Sequence, residues 1–368
     1  MTDAILTEVI AAFPFTGTCV SVGRYGSGHI NETYCAIFRS GGQRIRYILQ
    51  KINTEVFPDV DGLMENITGV TAYLKEVIEK EGGDPQRGTL TVFSTRAGRP
   101  YYRAADGGCW RCYPFVEGTV SYDLVKSPHD FYTVACAFGH FQMQLSGYPA
   151  ERLHETIPHF HDTPSRYAAL HRALKEDKLG RAAAAQPEIA FYLTHEKDAP
   201  LLTDLLAAGR LPLRVTHNDT KLNNILLDSK TSEALCIIDL DTVMPGLVHY
   251  DFGDCIRFGA STALEDETDL SKVSLSLPLF EVFARGFLES AGSILTPEEV
   301  RTLPLGAKLM TLECGTRFLT DFLQGDTYFR VSHPLHNLER CRTQMMLVAD
   351  MEKKWSRMCS ITEKAART

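Results

Sequence analysis

Residues 215–228, "VTHNDTKLNNILLD", constrain this chain more than any other stretch. Two apolar runs flank a loop that holds a carboxylate, an ammonium and an amide within six positions: Asp219, Lys221 and Asn224. Loops are usually polar, but few concentrate these three groups between segments that must be buried. After Asp228 a turn, "SKTSE", leads into "ALCIIDLDTVMPG", so the chain doubles back as a hairpin. An apolar strand ending in Asp239 and Asp241 then returns its carboxylates toward the loop. Two carboxylates and an amide oxygen make a hard-oxygen set of the kind magnesium takes, and Lys221 supplies a cation for a phosphoryl oxygen. Phosphoryl transfer needs this inventory: one carboxylate to orient or deprotonate an acceptor hydroxyl, and cations to neutralise the moving group.

The 368 residues allow two domains or one domain with two lobes. Residues 17–52 are rich in β-branched and aromatic side chains and carry turn signals at Gly26, Gly28, Gly41 and Gly42, which predicts three antiparallel strands. Residues 61–81 place Leu63, Ile67, Val70, Leu74 and Ile78 at helical steps. Two further strands are expected at "LTVFSTR" and "CWRCYPFV". Strand signals cease near Glu117 and Gly118, after which 129–148, 163–208 and 275–358 favour helix. The expected class is therefore α+β and bilobal, with a small antiparallel-sheet N-terminal lobe (1–116) and a larger, mostly helical C-terminal lobe (117–368).

Composition narrows the partners. A formal net charge of -8 argues against nucleic-acid binding, which wants a basic face. No apolar run is long enough to span a membrane, and the N-terminus has no basic region of a signal peptide, so a cytoplasmic monomer is expected. The ten cysteines are scattered, and Cys136, Cys236 and Cys314 sit in apolar runs as small core residues. Cys109 and Cys112 form a lone C-x-x-C without the second pair a zinc site requires, and read as ordinary thiols.

"HNDTKLNN" resembles the H-x-D-x-K-x-x-N catalytic loop of the protein-kinase-like phosphotransferases, and "IIDLD" is similar to the strand-end aspartate that binds magnesium there. The resemblance implies a protein-kinase-like fold, ATP and Mg2+, Asp219 as catalytic base and Lys221 on the transferred phosphate. It further implies Asn224 and Asp239 as metal ligands. His217 is expected to brace the loop. "GRYGSGHINET" resembles the nucleotide-covering turn, with Gly26, Gly28, Asn31 and Thr33 facing the cofactor; Lys51 matches the third-strand lysine on the phosphates, and Glu65 its helix partner. The literal "DFG" at Asp251–Gly253 is expected to be structural, because Asp239 closes the strand of the hairpin whereas Asp251 looks like a helix start.

"GSGHINETY", "IDLDTVMPGLVHYDFGD" and "RFLTDFLQGDTYF" narrow the likeness to the bacterial N-acetylhexosamine 1-kinases. That resemblance implies a sugar acceptor phosphorylated on its anomeric hydroxyl, and it places His29, Asp219, Arg317 and Tyr328 against the sugar. A kinase of choline, homoserine or an aminoglycoside is the alternative. "IPHFHDTPSRY", with His159, His161 and Asp162, reads as a rigid loop beside the acceptor or as a structural turn, and not as a metal site.

Overall fold

The computed structural model describes residues 3–26, 30–122 and 127–367. They form two compact units, each drawn from several chain segments. The first comprises residues up to 121 together with 147–158 and 225–245. The expected division at 116 and 117 treats as continuous what these units interleave.

The first unit opens with helix α1 (Asp3–Ala12), followed by strands β1 (Thr18–Arg24), β2 (Glu32–Ser40) and β3 (Gln43–Ile52). Helix α2 (Val60–Lys80), the single turn α3 (Pro85–Gly88) and strands β4 (Tyr102–Arg103) and β5 (Cys109–Pro114) come next. The five strands make one antiparallel sheet in the order β1-β2-β3-β5-β4. Gly41 and Gly42, both at positive φ (55° and 82°), form the two-residue hairpin loop that β2 and β3 require. Alternation then assigns the faces. Tyr34, Ala36 and Phe38 of β2, Tyr47 and Leu49 of β3, and Trp110 and Cys112 of β5 pack against Val9 of α1 and Phe13 just beyond it. The opposite face carries Thr33, Gln50 and Arg111, which stand side by side in register. A second antiparallel sheet joins β6 (Thr119–Val120), β8 (Ile225–Asp228) and β9 (Ala234–Ile237), so the predicted hairpin after Asn224 belongs to this unit.

The strand expected at "LTVFSTR" does not form. Phe93 N–H donates to the Cys112 carbonyl, but Thr95 N–H already turns back to the Arg99 carbonyl with Gly98 at φ 74°, so no ladder develops. The outer place in the sheet goes to β4.

The second unit is mostly helical: α4 (Pro128–Gln144), α5 (Thr163–Glu176), α6 (Gln186–His195), α7 (Leu201–Ala207), the short strand β7 (Arg214–Thr216), α8 (Val248–Gly259), α9 (Leu277–Ala291), α10 (Pro297–Gln324), α11 (His336–Lys353) and α12 (Trp355–Ala365). Its helix starts carry readable signals. Ser127 caps α4 with Pro128 in the first turn, and Thr296 with Glu299 forms a reciprocal capping box on α10. Tyr167, Leu170, Tyr192, Leu312, Phe318 and Phe322 fill a core between α5, α6 and α10. Helices α8 and α10 approach through glycines: a Cβ on Gly253 would stand 2.4 Å from the Gly306 carbonyl oxygen. Among the described residues no helix is long and apolar enough to cross a membrane. All ten cysteines are free, with Cys109 and Cys112 buried on opposite faces of β5.

Candidate active site

The loop after β7 is held from beneath by Asp251 of α8. One Asp251 oxygen accepts the Asn218 N–H at 2.7 Å, and the other accepts the His217 N–H at 3.0 Å and the Gln142 side-chain amide at 2.6 Å. Thr220 Oγ1 donates to the Asp251 carbonyl, 2.9 Å away. The carboxyl is fully buried; burial pushes its pKa up, with His217 and the N–H donors opposing. Both oxygens are engaged by the loop, which is the structural role expected of this aspartate. Its "DFG" neighbours are structural as well: Phe252 packs edge-on against Phe280, Phe283 and Phe287, and Gly253 admits α10.

His217 is buried with its ring edge-on to Phe138 and Phe141, as the bracing role requires. Asn218 takes a left-handed conformation (φ 65°), which asparagine tolerates better than most residues. That turn presents Asp219. Lys221 Nζ lies 2.6 Å from Asp219 Oδ1, and Asn224 Nδ2 donates to the Asp219 carbonyl (2.8 Å) and to Oδ2 (3.1 Å). Burial would lower Lys221, but Asp219 and, further off, Asp254 more than offset it and hold the ammonium above its ordinary value. With its nitrogen committed to Asp219, Asn224 turns its amide oxygen away, the group a hard cation takes.

His161, on the loop before α5, is the brace that sequence reasoning only half located. Its Nε2 lies 3.2 Å from the Asn218 carbonyl and its Nδ1 lies 2.9 Å from Glu313 Oε1, while Thr163 Oγ1 donates to Glu313 Oε2 at 2.8 Å. This chain of contacts ties the Asp219 loop to α10. One helical turn beyond Glu313 stands Arg317, whose Nη2 donates to the Tyr328 hydroxyl at 3.3 Å. The Arg317 guanidinium also lies 5.8 Å from the Phe160 ring and 5.3 Å from Phe329. Tyr328 reaches it because Gly325, at φ 102°, ends α10, and Asp321 then accepts the N–H groups of Thr327, Tyr328 and Phe329. Arg166 completes the group: burial and then the Arg317 charge lower it. Burial would raise the enclosed Glu313, yet His161, Arg317 and Arg166 hold it below the usual carboxylate range. His159, the other histidine of that loop, is exposed and rests on Asp162 at 3.2 Å.

In the first unit Asp239 follows β9 in a left-handed conformation (φ 60°), at the head of a single 3-10 turn (Leu240–Thr242). Gly26 turns at φ 77°, and Thr33 Oγ1 accepts from Gln50 at 3.0 Å. Gly28 and His29 lie outside the described residues. The expected Lys51–Glu65 pair is not made. Lys51 projects from the α1 face of β3, where Nζ meets Asp106 Oδ2 at 3.2 Å in a cavity of about 640 Å³ lined also by Ile5, Leu6, Arg24, Glu32 and Tyr34. Glu65 instead meets His154 at 2.7 Å. The reason is strand alternation, which puts Gln50 and not Lys51 on the face shared with Arg111. No cluster of three or more His, Cys, Asp or Glu among the described residues could hold a metal by itself. Magnesium does not need one, since it commonly takes one or two protein oxygens and completes its shell with phosphates and water.

Solved structures of similar fold include a microcompartment-associated aminopropanol kinase (16% identity over 97% of this chain and 98% of that one, TM-score 0.54). A spectinomycin phosphotransferase in complex with ADP and spectinomycin matches at 11% identity over 100% and 99% (TM-score 0.56). A choline kinase from Cryptosporidium parvum Iowa II matches at 12% over 98% and 100% (TM-score 0.56). At these identities the likeness speaks to fold, and it is the fold expected from the sequence, an antiparallel-sheet region joined to a mostly helical remainder. The model of the phosphotransferase enzyme family matches residues 22–272, which include the whole 217–224 loop and Asp239, and the chain belongs to that family.

Proposed function

We propose that this phosphotransferase moves the γ-phosphoryl group of ATP, with Mg2+, to the anomeric hydroxyl of N-acetylglucosamine or N-acetylgalactosamine, giving the sugar 1-phosphate. The observation that carries the acceptor class is the Arg317–Tyr328 pair with Arg166 beside it, joined to the Asp219 loop through Glu313 and His161. Two neighbouring guanidiniums, Arg317 and Arg166, disfavour an ammonium acceptor such as choline or aminopropanol. A guanidinium and a phenol suit vicinal hydroxyls, because they supply several directional donors to a neutral ring.

In this reading Asp219 takes the anomeric proton as the sugar oxygen bonds to the γ-phosphorus and the bond to the departing ADP oxygen breaks. An anomeric hydroxyl is more acidic than an ordinary alcohol, which makes a carboxylate an adequate acceptor. Lys221, held on Asp219, offers its charge to the phosphoryl oxygens. Asn224 and Asp239 are the oxygen donors that would hold the magnesium, which when bound neutralises phosphate charge. The turn bearing Gly26, Asn31 and Thr33 covers the nucleotide. Lys51, on the other face of the sheet, is left out of the nucleotide set.

A coupled ADP-release assay against N-acetylhexosamines, choline, aminopropanol, homoserine and an aminoglycoside tests the reading, with 31P NMR of the product to locate the phosphate. Turnover confined to N-acetylhexosamines, with a 1-phosphate product, is expected. Turnover with an amine and none with the sugars would overturn the acceptor assignment.

A further inference from the structure

The largest buried charged side chain of the first unit belongs to a residue with no role above. Arg111, in the middle of β5, is 1% exposed and lies on the sheet face opposite Lys51. Its Nη1 lies 2.5 Å from Asp241 Oδ1, and Asp241 is itself 3% exposed. Arg111 Nε donates to Gln50 Oε1 at 3.0 Å, and Gln50 donates in turn to Thr33 at 3.0 Å. The second Asp241 oxygen accepts from Asn31 Nδ2 at 2.5 Å, and Asn31 Oδ1 accepts the Asn53 N–H at 2.9 Å. The Asp241 carbonyl accepts Thr156 Oγ1 at 2.9 Å, and two residues on the Val243 carbonyl accepts Asn66 of α2 at 3.1 Å. Burial would lower the Arg111 guanidinium, but Asp241, with smaller contributions from Tyr113 and Asp239, raises it above its ordinary value.

A buried ion pair is a costly way to hold a fold together, because desolvating two charges offsets most of their attraction and an apolar pair of equal volume is often as stable. This pair sits two residues from Asp239, and it also holds Asn31, which directly precedes β2. We propose that Arg111 and Asp241 are positioning residues for phosphoryl transfer: the pair fixes the Asp239 turn to the sheet, and through Asn31 it fixes the entry to β2 to the same carboxylate. Asp239, as the proposed magnesium ligand, and Asn31 are thereby set by one buried anchor. This inference rests on the proposed role of Asp239 toward magnesium.

The test measures binding of ADP by calorimetry across a magnesium titration, alongside thermal melts, for the full chain and for Asn31→Ala, Asp241→Asn and the double variant Arg111→Met with Asp241→Leu. The magnesium concentration for half-maximal nucleotide binding is expected to rise about tenfold in Asn31→Ala and more in Asp241→Asn. The double variant is expected to melt near the parent temperature and still to need the higher magnesium. A double variant that regains both the melting temperature and the parent magnesium dependence would make the pair merely structural and overturn the inference, as would an unchanged magnesium dependence in Asn31→Ala. If the parent chain bound ADP with no magnesium dependence at all, the role of Asp239 would fall and this inference with it.

Discussion

Two aspartates near the same loop do opposite work. Asp219 is partly exposed at the end of a strained turn, whereas Asp251 is buried with both oxygens taken by backbone and amide donors. Asp219→Asn should therefore cut turnover by several orders of magnitude with an unchanged melting temperature and nearly unchanged nucleotide affinity. Asp251→Asn should destabilise the protein by about 3 kcal/mol, since an amide nitrogen would face N–H donors in a buried site, and residual folded protein should keep its nucleotide affinity. Thermal melts and nucleotide titrations on both variants separate the two. On the acceptor side, Arg317→Ala should raise the sugar KM by roughly 5- to 150-fold, the equivalent of about 1–3 kcal/mol, and leave the ATP KM alone. Steady-state kinetics with each substrate varied reads this directly. That Asp219, Lys221 and Asn224 stand together was legible because that loop is one short contiguous string. The Lys51–Glu65 pairing was misread because it depends on which face of β3 Lys51 occupies, and a one-residue difference in register exchanges the faces. The pairing of Arg111 with Asp241 gave no signal, since it is a contact across 130 positions of sequence.

At the scale of elements, the helices announced themselves best where an apolar period ran unbroken, as in α2, and the strands least where one needed a neighbour that the sequence does not name. "LTVFSTR" has strand composition but folds back through Gly98, while the two-residue β4 takes the sheet edge. The crossing of α8 and α10 was equally invisible, being written only in two glycines. Gly253→Ala would drive a methyl into the Gly306 carbonyl, and shifting α8 would move Asp251 with it. A loss of about 1–3 kcal/mol in denaturant unfolding is expected, together with a lower kcat from displacement of the Asp219 loop. Full activity in a destabilised Gly253→Ala protein would show that α8 does not transmit its position to the loop.

For the whole molecule, acid stability has an identifiable source in the second unit. His249 is fully buried on α8, with Nε2 at 2.8 Å from Thr302 Oγ1, and burial lowers its pKa from 6.5 to about 4 against the opposing Glu299. Between those values the unfolded chain binds a proton that the folded chain refuses. Stability from this residue is thus complete above pH 6.5 and falls as the pH drops toward 4, by about 3 kcal/mol. Denaturant titrations at pH 7.5, 6 and 5 should show that slope, and His249→Gln should flatten it. The interleaving of the units has a different consequence, one of timing. The sheet strand bearing Arg111 leaves the ribosome well before the segment bearing Asp241, and at ordinary elongation rates the interval is on the order of ten seconds. Throughout that interval the nascent sheet holds a guanidinium that it cannot bury without its counter-charge. The N-terminal unit should therefore stay open during synthesis and close only when the hairpin that carries Asp239 has been made, which limited proteolysis of stalled nascent chains would read.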